Sequence, residues 1–585
     1  MKTYFHTLIM LFLTLLVIAC NQTVVPLDNK VTDFETLHQV KGGKFKGGIL
    51  KTNSISKVTS LFPASATEVY SQHVNSQLFE ALFKFNQSTL QVEPCLAESY
   101  SVDTTNTIYT FNIRKNVKFH DNSCFKNGKG RLVNATDFQN VFRYLCSNDL
   151  LNKSGYLIKD YIKGSESFFN NETDILEGIR VIDEYTLELE LNEPFSGILS
   201  ILALTQTGVY PIEAIEKYKT NIENNPVGSG PYKLESNLDQ IVLVKNESYW
   251  KKDEFGNQLP FISKITIDFE ENKTKELISF NAGKIDFVWK IPIEEIPHIM
   301  GTLDEAKEGK NRTFNLQSIN SLQIQYYGFN LTKDIFKKKK VRQALNYAIN
   351  KYSLVTHVLQ GEGSPANHGI IPNLQNYQNT KIKGYNFNPR KARKLLRSAG
   401  YPNGKGFPII ELPFNKNGQI NLLMAQNLKT QLKNILNIEV KLVELDHEKI
   451  INLREEGKLS FWRSGWIADY PDPSNFISQF HSKYIIEGQN ISHNHARYSN
   501  KEFDNHLDKA MYEVDDQKRM QYYLKAEQLL VDDAIFIPMY YVSEIRLVNP
   551  QLKNFPINKI EYRDYSVSYF TPKITGKKVR VYDNL

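Results

Sequence analysis

The stretch Phe461-Trp462-Arg463-Ser464-Gly465-Trp466-Ile467-Ala468-Asp469-Tyr470-Pro471-Asp472-Pro473 concentrates side chains suited to recognition. Trp and Tyr supply stacking area at little entropic cost. Glycine lets a ligand backbone come close. Arg463 and Asp469 offer the opposite charges that a molecule with an amine and a carboxylate requires. An aromatic core turn with one internal salt bridge would use the same residue types, so composition alone leaves both readings open. Chemistry of other kinds finds little support. The chain contains no GxSxG elbow, no HExxH and no Walker loop. Gly400 to Gly406 has the wrong spacing for a phosphate loop and follows a helical pattern instead of preceding one. His481, His493 and His495 read as ordinary polar-loop histidines, because a catalytic metal site needs three well-placed ligands. No nucleophile, metal site or cofactor is expected, and the chain does not read as an enzyme.

The elements around this stretch follow from periodicity. Tyr109, Phe111 and Ile113 alternate with polar residues, as do Leu187, Leu189 and Leu191, and Ile265, Ile267 and Phe269. That is strand period. Asp183-Glu184 marks a hairpin turn. Helical stripes run through Val341, Ala344, Leu345, Ala348 and Ile349, then through Ala392, Leu395, Leu396 and Ala399. The second opens at Asn388-Pro389 and closes at Gly400. Further helices carry Leu428 to Leu436, Phe503 to Met511 and Met520 to Leu530, with a strand from Ile438 to Leu445. Strands and helices interleave, which indicates α/β architecture. The formal charge of +7 is small for 585 residues. Lys337 to Lys340 form one basic run, read as a solvated loop or helix start, so nucleic acid is not an expected partner. Aromatic residues make up 12% of the chain, enough for a binding cleft or a large core.

The N-terminus reads as an export signal. Lys2 precedes an apolar run from Leu8 to Ala19, shorter than the ~20 residues a membrane span needs. Val17-Ile18-Ala19-Cys20 resembles a bacterial lipobox, which implies cleavage before Cys20 and acylation of its thiol. The alternative is an ordinary signal peptide that happens to end in cysteine. Residues 21–47 are polar and read as a flexible tether. Cys95, Cys124 and Cys146 permit one disulfide with one thiol left over.

A series of ordered motifs then carries a resemblance. They are Leu78-Phe79-Glu80-Ala81-Leu82, Pro94-Cys95-Leu96-Ala97-Glu98-Ser99-Tyr100, Tyr109 to Arg114 with Val117 to Asp121, Val133 to Phe138, Val227-Gly228-Ser229-Gly230-Pro231-Tyr232, Gly328-Phe329-Asn330 and Val341 to Ile349. From about residue 47 to about 560 the chain resembles the bacterial extracellular solute-binding proteins of the oligopeptide/dipeptide/nickel type. The resemblance implies a bilobal periplasmic-binding-protein-like fold: two α/β lobes joined by two hinge strands, with an extra subdomain in the first lobe. It divides the chain into a signal peptide (1–20), a tether (21–47), lobe I (48–73, 196–320 and 536–585), the extra subdomain (74–195) and lobe II (321–535). Residues 122–132 are an insertion against the family pattern. The insertion is expected to fold over lobe I, tied by a Cys124–Cys146 disulfide.

The resemblance also implies site roles. Asp469 pairs with a ligand's α-amine, Gly465 and Trp466 lie along its main chain, and Arg463 meets its carboxylate at some peptide lengths. Val69 offers a backbone group. Thr67 stands where some relatives have an acid, which weakens any preference for basic side chains. The implied function is capture of peptides by a lipid-anchored, extracytoplasmic monomer and delivery to the permease subunits of an ABC importer. Nickel chelate, haem, an opine or an oligosaccharide are alternative ligands, and a tethered hydrolase or adhesin is an alternative class.

Overall fold

The computed structural model describes residues 36–292, 295, 314–374, 376–415, 419–485 and 494–573. The export signal and Cys20 lie outside these, as do residues 21–35 of the expected tether. Residues 36–47 are no tether. His38–Gln39 pairs antiparallel with Phe45–Lys46, and Lys44 reaches Asp253 at 3.1 Å while its ammonium lies 5.5 Å from the Phe261 ring centre. The polar composition of this segment serves docking onto the fold, where composition alone suggested solvation.

The chain builds two α/β lobes. In the first, a sheet runs in the order Tyr232–Asn237, Ile241–Lys245, Lys264–Phe269, Ile49–Ser54, with only the last pair parallel. Its extra subdomain is an antiparallel sheet, Ala97–Val102, Ile108–Ile113, Thr186–Glu190, Ile179–Asp183. The hairpin at Asp183-Glu184 forms as its sequence indicates, and Phe111, Leu187 and Leu189 turn their period-two face into the core. Helix Ala135–Leu145 covers that sheet behind an Asn134/Asp137 capping box. The helix Val69–Leu78 runs across the boundary expected at residue 73, so lobe I and the subdomain share one element there.

Two long strands, Asn315–Phe329 and Phe536–Val548, pair antiparallel along most of their length. Their register slips between Asn320 and Ile324, a point where such a ribbon bends. Strand Phe287–Trp289 flanks one end of this sheet and Phe461–Ile467 the other. The second lobe packs Lys339–Ala348, Pro389–Ser398 and Gln419–Leu436 around a parallel pair, Ile410–Asn415 and Val440–Leu445. Val341, Ala344, Leu345 and Ala348 are buried together with Ala392 and Leu396, as their stripes require. Asn388 caps its helix through Lys391 N–H, Pro389 fills the first position, and Gly400 follows at φ +100. The Lys337–Lys340 run joins the end of helix Asp334–Lys337 to the start of helix Lys339–Ala348. Among the described residues no helix is long and apolar enough to cross a membrane.

The insertion 122–132 does fold onto lobe I, but without a disulfide: Cys95, Cys124 and Cys146 are all free. Cys124 lies near Glu213 and Lys217, whereas Cys146 sits buried at the end of its helix near Lys159 and Asp160. Polar contacts hold the insertion instead. The Tyr218 hydroxyl donates to Asn122 at 2.7 Å, Lys217 Nζ to the Ser123 carbonyl at 2.6 Å, and Arg131 clamps Asp137 and Glu213.

Candidate functional site

A cavity of about 440 Å³ lies between the lobes. Its first wall is the exposed face of helix Val69–Leu78. Glu68 caps that helix by accepting from Ser71 N–H at 3.0 Å. The cap leaves Thr67, Val69, Tyr70, Gln72, His73 and Ser76 facing the cavity. Helix residues also fix the opposite corner. Ser76 Oγ and Gln77 Nε2 donate to the Arg563 carbonyl at 2.9 and 2.7 Å, and Gln77 Oε1 accepts from Tyr565 N–H at 3.0 Å. The loop from Ile560 to Arg563 is thereby pinned as a third wall, beside Lys290.

Lobe II supplies the remaining wall. Strand Phe461–Ile467 is held to the hinge strand with Gly465 opposite Gln325 and Trp466 opposite Ile324. At 465 glycine leaves room for the Gln325 amide, which an added Cβ would approach to 2.6 Å and push aside. The chain then leaves the sheet and presents Asp469. Asn475 organises this corner: its Oδ1 accepts from Trp466 Nε1 at 2.9 Å and from Asp469 N–H at 3.1 Å, and its Nδ2 donates to Asp469 Oδ2 at 3.3 Å. Burial raises the Asp469 carboxyl above its ordinary value, and the Asn475 hydrogen bond offsets part of the rise. Among the described residues no cation stands within ion-pair distance of it.

The opposite end carries a charge cluster that the sequence reading missed. Lys290 Nζ is shared between Glu561 at 3.0 Å and Glu544 at 3.2 Å. Burial opposes ionisation of Glu561, but the Lys290 ammonium and, beyond ion-pair distance, the Arg563 guanidinium outweigh it and hold that carboxyl at about 2. Burial, with Arg563 nearby, lowers His73 well below its usual range, which keeps the imidazole neutral. Arg563 stacks 4.8 Å from the Trp289 ring and has no carboxylate at ion-pair distance among the described residues. Among the described residues, a cation with no carboxylate at ion-pair distance thus lines the same cavity as an acid with no cation at that distance. No local pattern in Glu561-Tyr562-Arg563 or around Lys290 signals this, because the groups are assembled from four separate segments.

Five expected site residues, Thr67, Val69, Gly465, Trp466 and Asp469, line this one cavity. Arg463 does not. It lies in the strand opposite Tyr327 and donates to Gln325 Oε1 at 2.6 Å. Among the described residues no metal-binding cluster occurs, and His493 lies outside them.

Two lobes on crossing strands, with a cavity of mixed polar and apolar lining between them, define a bilobal binding protein. The chain belongs to the bacterial extracellular solute-binding proteins, family 5, whose model matches residues 91–487, and such a protein works outside the cytoplasm. Among curated relatives it is similar to heme-binding protein A of Haemophilus influenzae, 28% identical over 84% of this chain and 87% of that one. It is also similar to the oligopeptide-binding protein OppA of Bacillus subtilis, 26% identical over 88% and 92%. Among solved structures it resembles the oligopeptide-binding OppAIV of Borrelia burgdorferi, with a TM-score of 0.74, 26% identity and coverage of 89% and 100%. The fold also matches DppA from Helicobacter pylori in complex with the peptide STSA, with a TM-score of 0.74, 23% identity and coverage of 90% and 98%.

Proposed function

We propose that this chain captures peptides between its lobes and delivers them to the permease of an ABC importer. The observation that carries the reading is a pair of opposite charges in one cavity, neither with an ion-pair partner among the described residues. Asp469 meets the peptide ammonium and Arg563 its carboxylate. Trp466 and Gly465 lie along the main chain, and Thr67 and Val69 face it from lobe I. A charge removed from water needs a charged, hydrogen-bonded partner, and a zwitterionic ligand supplies both at once. Relatives named for oligopeptides support the reading. The haem-named relative supports a different cargo, yet haem's charged side chains are carboxylates, which could meet Arg563 but would leave Asp469 unpaired.

On this reading lobe II spans about 321–535, hinged at the register slip near Asn320, and the protein acts as a monomer without a cofactor. Cys20 is its acylated, membrane-held N-terminus. Native mass spectrometry of the protein purified from its own cells tests the cargo. A ladder of masses differing by amino-acid residues is expected. A single haem, metal-chelate or sugar mass would contradict it.

A further inference from the structure

A second cavity, of about 490 Å³, opens on the far side of Trp466 and Asp469, and these two residues line both cavities. It is markedly more apolar than the first. The walls come from Tyr156, Leu157, Tyr161 and Ile201 of lobe I and from Trp466 and Tyr470 of lobe II. Tyr161 is fixed by a parallel stack on Phe195, ring centres 4.2 Å apart. Several polar groups on the lining are already engaged within the chain, while the Asp469 carboxylate stays open to a ligand's amine. Asn475 holds Trp466 and Asp469, Ser478 Oγ donates to the Ser474 carbonyl at 2.7 Å, and Gln479 Nε2 donates to the Phe476 carbonyl at 3.0 Å. The charges at the rim also have neighbours of opposite sign: Lys159 lies 3.6 Å and Lys483 3.9 Å from Asp160. What remains for a ligand is aromatic and aliphatic surface. A site of this size and lining takes an apolar group.

We propose that this cavity receives a large aromatic side chain on the residue that carries the ligand's amine, so that the protein selects peptides beginning with Trp, Tyr or Phe. The inference rests on the peptide reading above. Position fixes the argument. Asp469 stands at the junction, so the atoms nearest a bound ammonium are those of the first residue, and the space beyond Asp469 is where its side chain must go. Leu157 and Ile201 then set specificity by shape, and Trp466 offers a face to stack on.

The test compares Trp-Ala-Ala with Gly-Ala-Ala by calorimetry. Burying a large apolar side chain in a preformed pocket is expected to favour Trp-Ala-Ala by about 10- to 100-fold. Gln479→Trp, which fills the cavity from its lobe II side, should collapse that ratio toward one. Leu157→Ala, which loosens the wall, should reduce it several-fold and serves if the first variant folds poorly. If Gly-Ala-Ala binds and Trp-Ala-Ala binds no tighter, the aromatic cavity assignment is overturned while the peptide reading stands. If neither tripeptide binds, both fall. A ratio unchanged in either folded variant also overturns the assignment.

Discussion

At the scale of single residues, the site divides into what a local motif carries and what only folding assembles. Gly465, Trp466 and Asp469 sit within five positions of one another, so their chemistry was legible as a cluster. Arg463 belongs to the same cluster by sequence but lies against Gln325, Tyr327 and the hinge sheet. On the proposed reading, Arg563 takes the role expected of it. Arg563→Ala should therefore erase the preference for peptides with a free carboxylate over their amides. Losing a buried charge partner costs about 2–5 kcal/mol, so affinity for the free acid should drop more than about tenfold. Arg463→Ala should keep the acid-to-amide ratio, and the opposite pattern in calorimetry would restore Arg463 to the site. A buried carboxyl far from the cavity makes a pH prediction. Glu527 accepts from Ile370 and Ile371 N–H at 2.7 and 2.8 Å and from the Tyr377 hydroxyl. Burial lifts it from its ordinary 4.5 to about 7. Folding therefore binds a proton. The resulting stabilisation is complete below about pH 4.5 and is lost as pH rises through about 7. Glu527→Gln removes this linkage, so between pH 5 and 8 the wild-type Tm should fall relative to the variant's. Parallel Tm profiles would show that Glu527 does not titrate there.

At the scale of elements, periodicity located most strands and helices because each buries one face, and capping residues marked their ends. The sequence reading failed where a segment docks by polar contacts. Residues 36–47 looked like a tether yet form a hairpin held by Lys44. The insertion 122–132 seemed to need a disulfide, whereas Asn122, Ser123 and Arg131 tie it to helix Ile212–Tyr218 and its surroundings. Polar docking leaves no hydrophobic period, and so no signal in the sequence. Thiol titration of the denatured, unreduced protein should accordingly find Cys95, Cys124 and Cys146 all reactive. Loss of two of these thiols would restore the disulfide. The turn around Gly228 is legible for a backbone reason. A Cβ there would lie 2.0 Å from the Leu78 carbonyl oxygen, at the end of the helix that lines the site. Gly228→Ala should destabilise by about 1–3 kcal/mol through overpacking, read as a lower denaturant midpoint. An unchanged midpoint would mean that the turn yields freely.

At the scale of the whole molecule, the proposed binding is the meeting of two lobes. The two strands Asn315–Phe329 and Phe536–Val548 carry the chain between them, and their register slip marks where they bend. On the proposed reading, ligand charges on one side and the walls of both lobes on the other make closure and binding a single event. The proposed lipid anchor keeps that event at the membrane. Cys20→Ala should shift the protein from the membrane fraction to the soluble fraction or leave it uncleaved, and wild-type fractionation of the variant would refute the anchor. The central claim, that the cavity closes on a peptide amine, is tested most directly at Asp469 by a four-way calorimetric cycle. Wild type and Asp469→Asn are each titrated with one peptide, free or N-acetylated. Removing the charge keeps the shape but strands the ammonium, so free-peptide affinity should fall well over about tenfold. Because burial raises the Asp469 carboxyl, the same affinity should weaken in wild type as pH falls through a range above that of an ordinary aspartate. The acetylated peptide brings no ammonium. It should bind wild type poorly and lose little more on mutation. Strong non-additivity of acetylation and mutation is the predicted result, and additive losses would contradict the account.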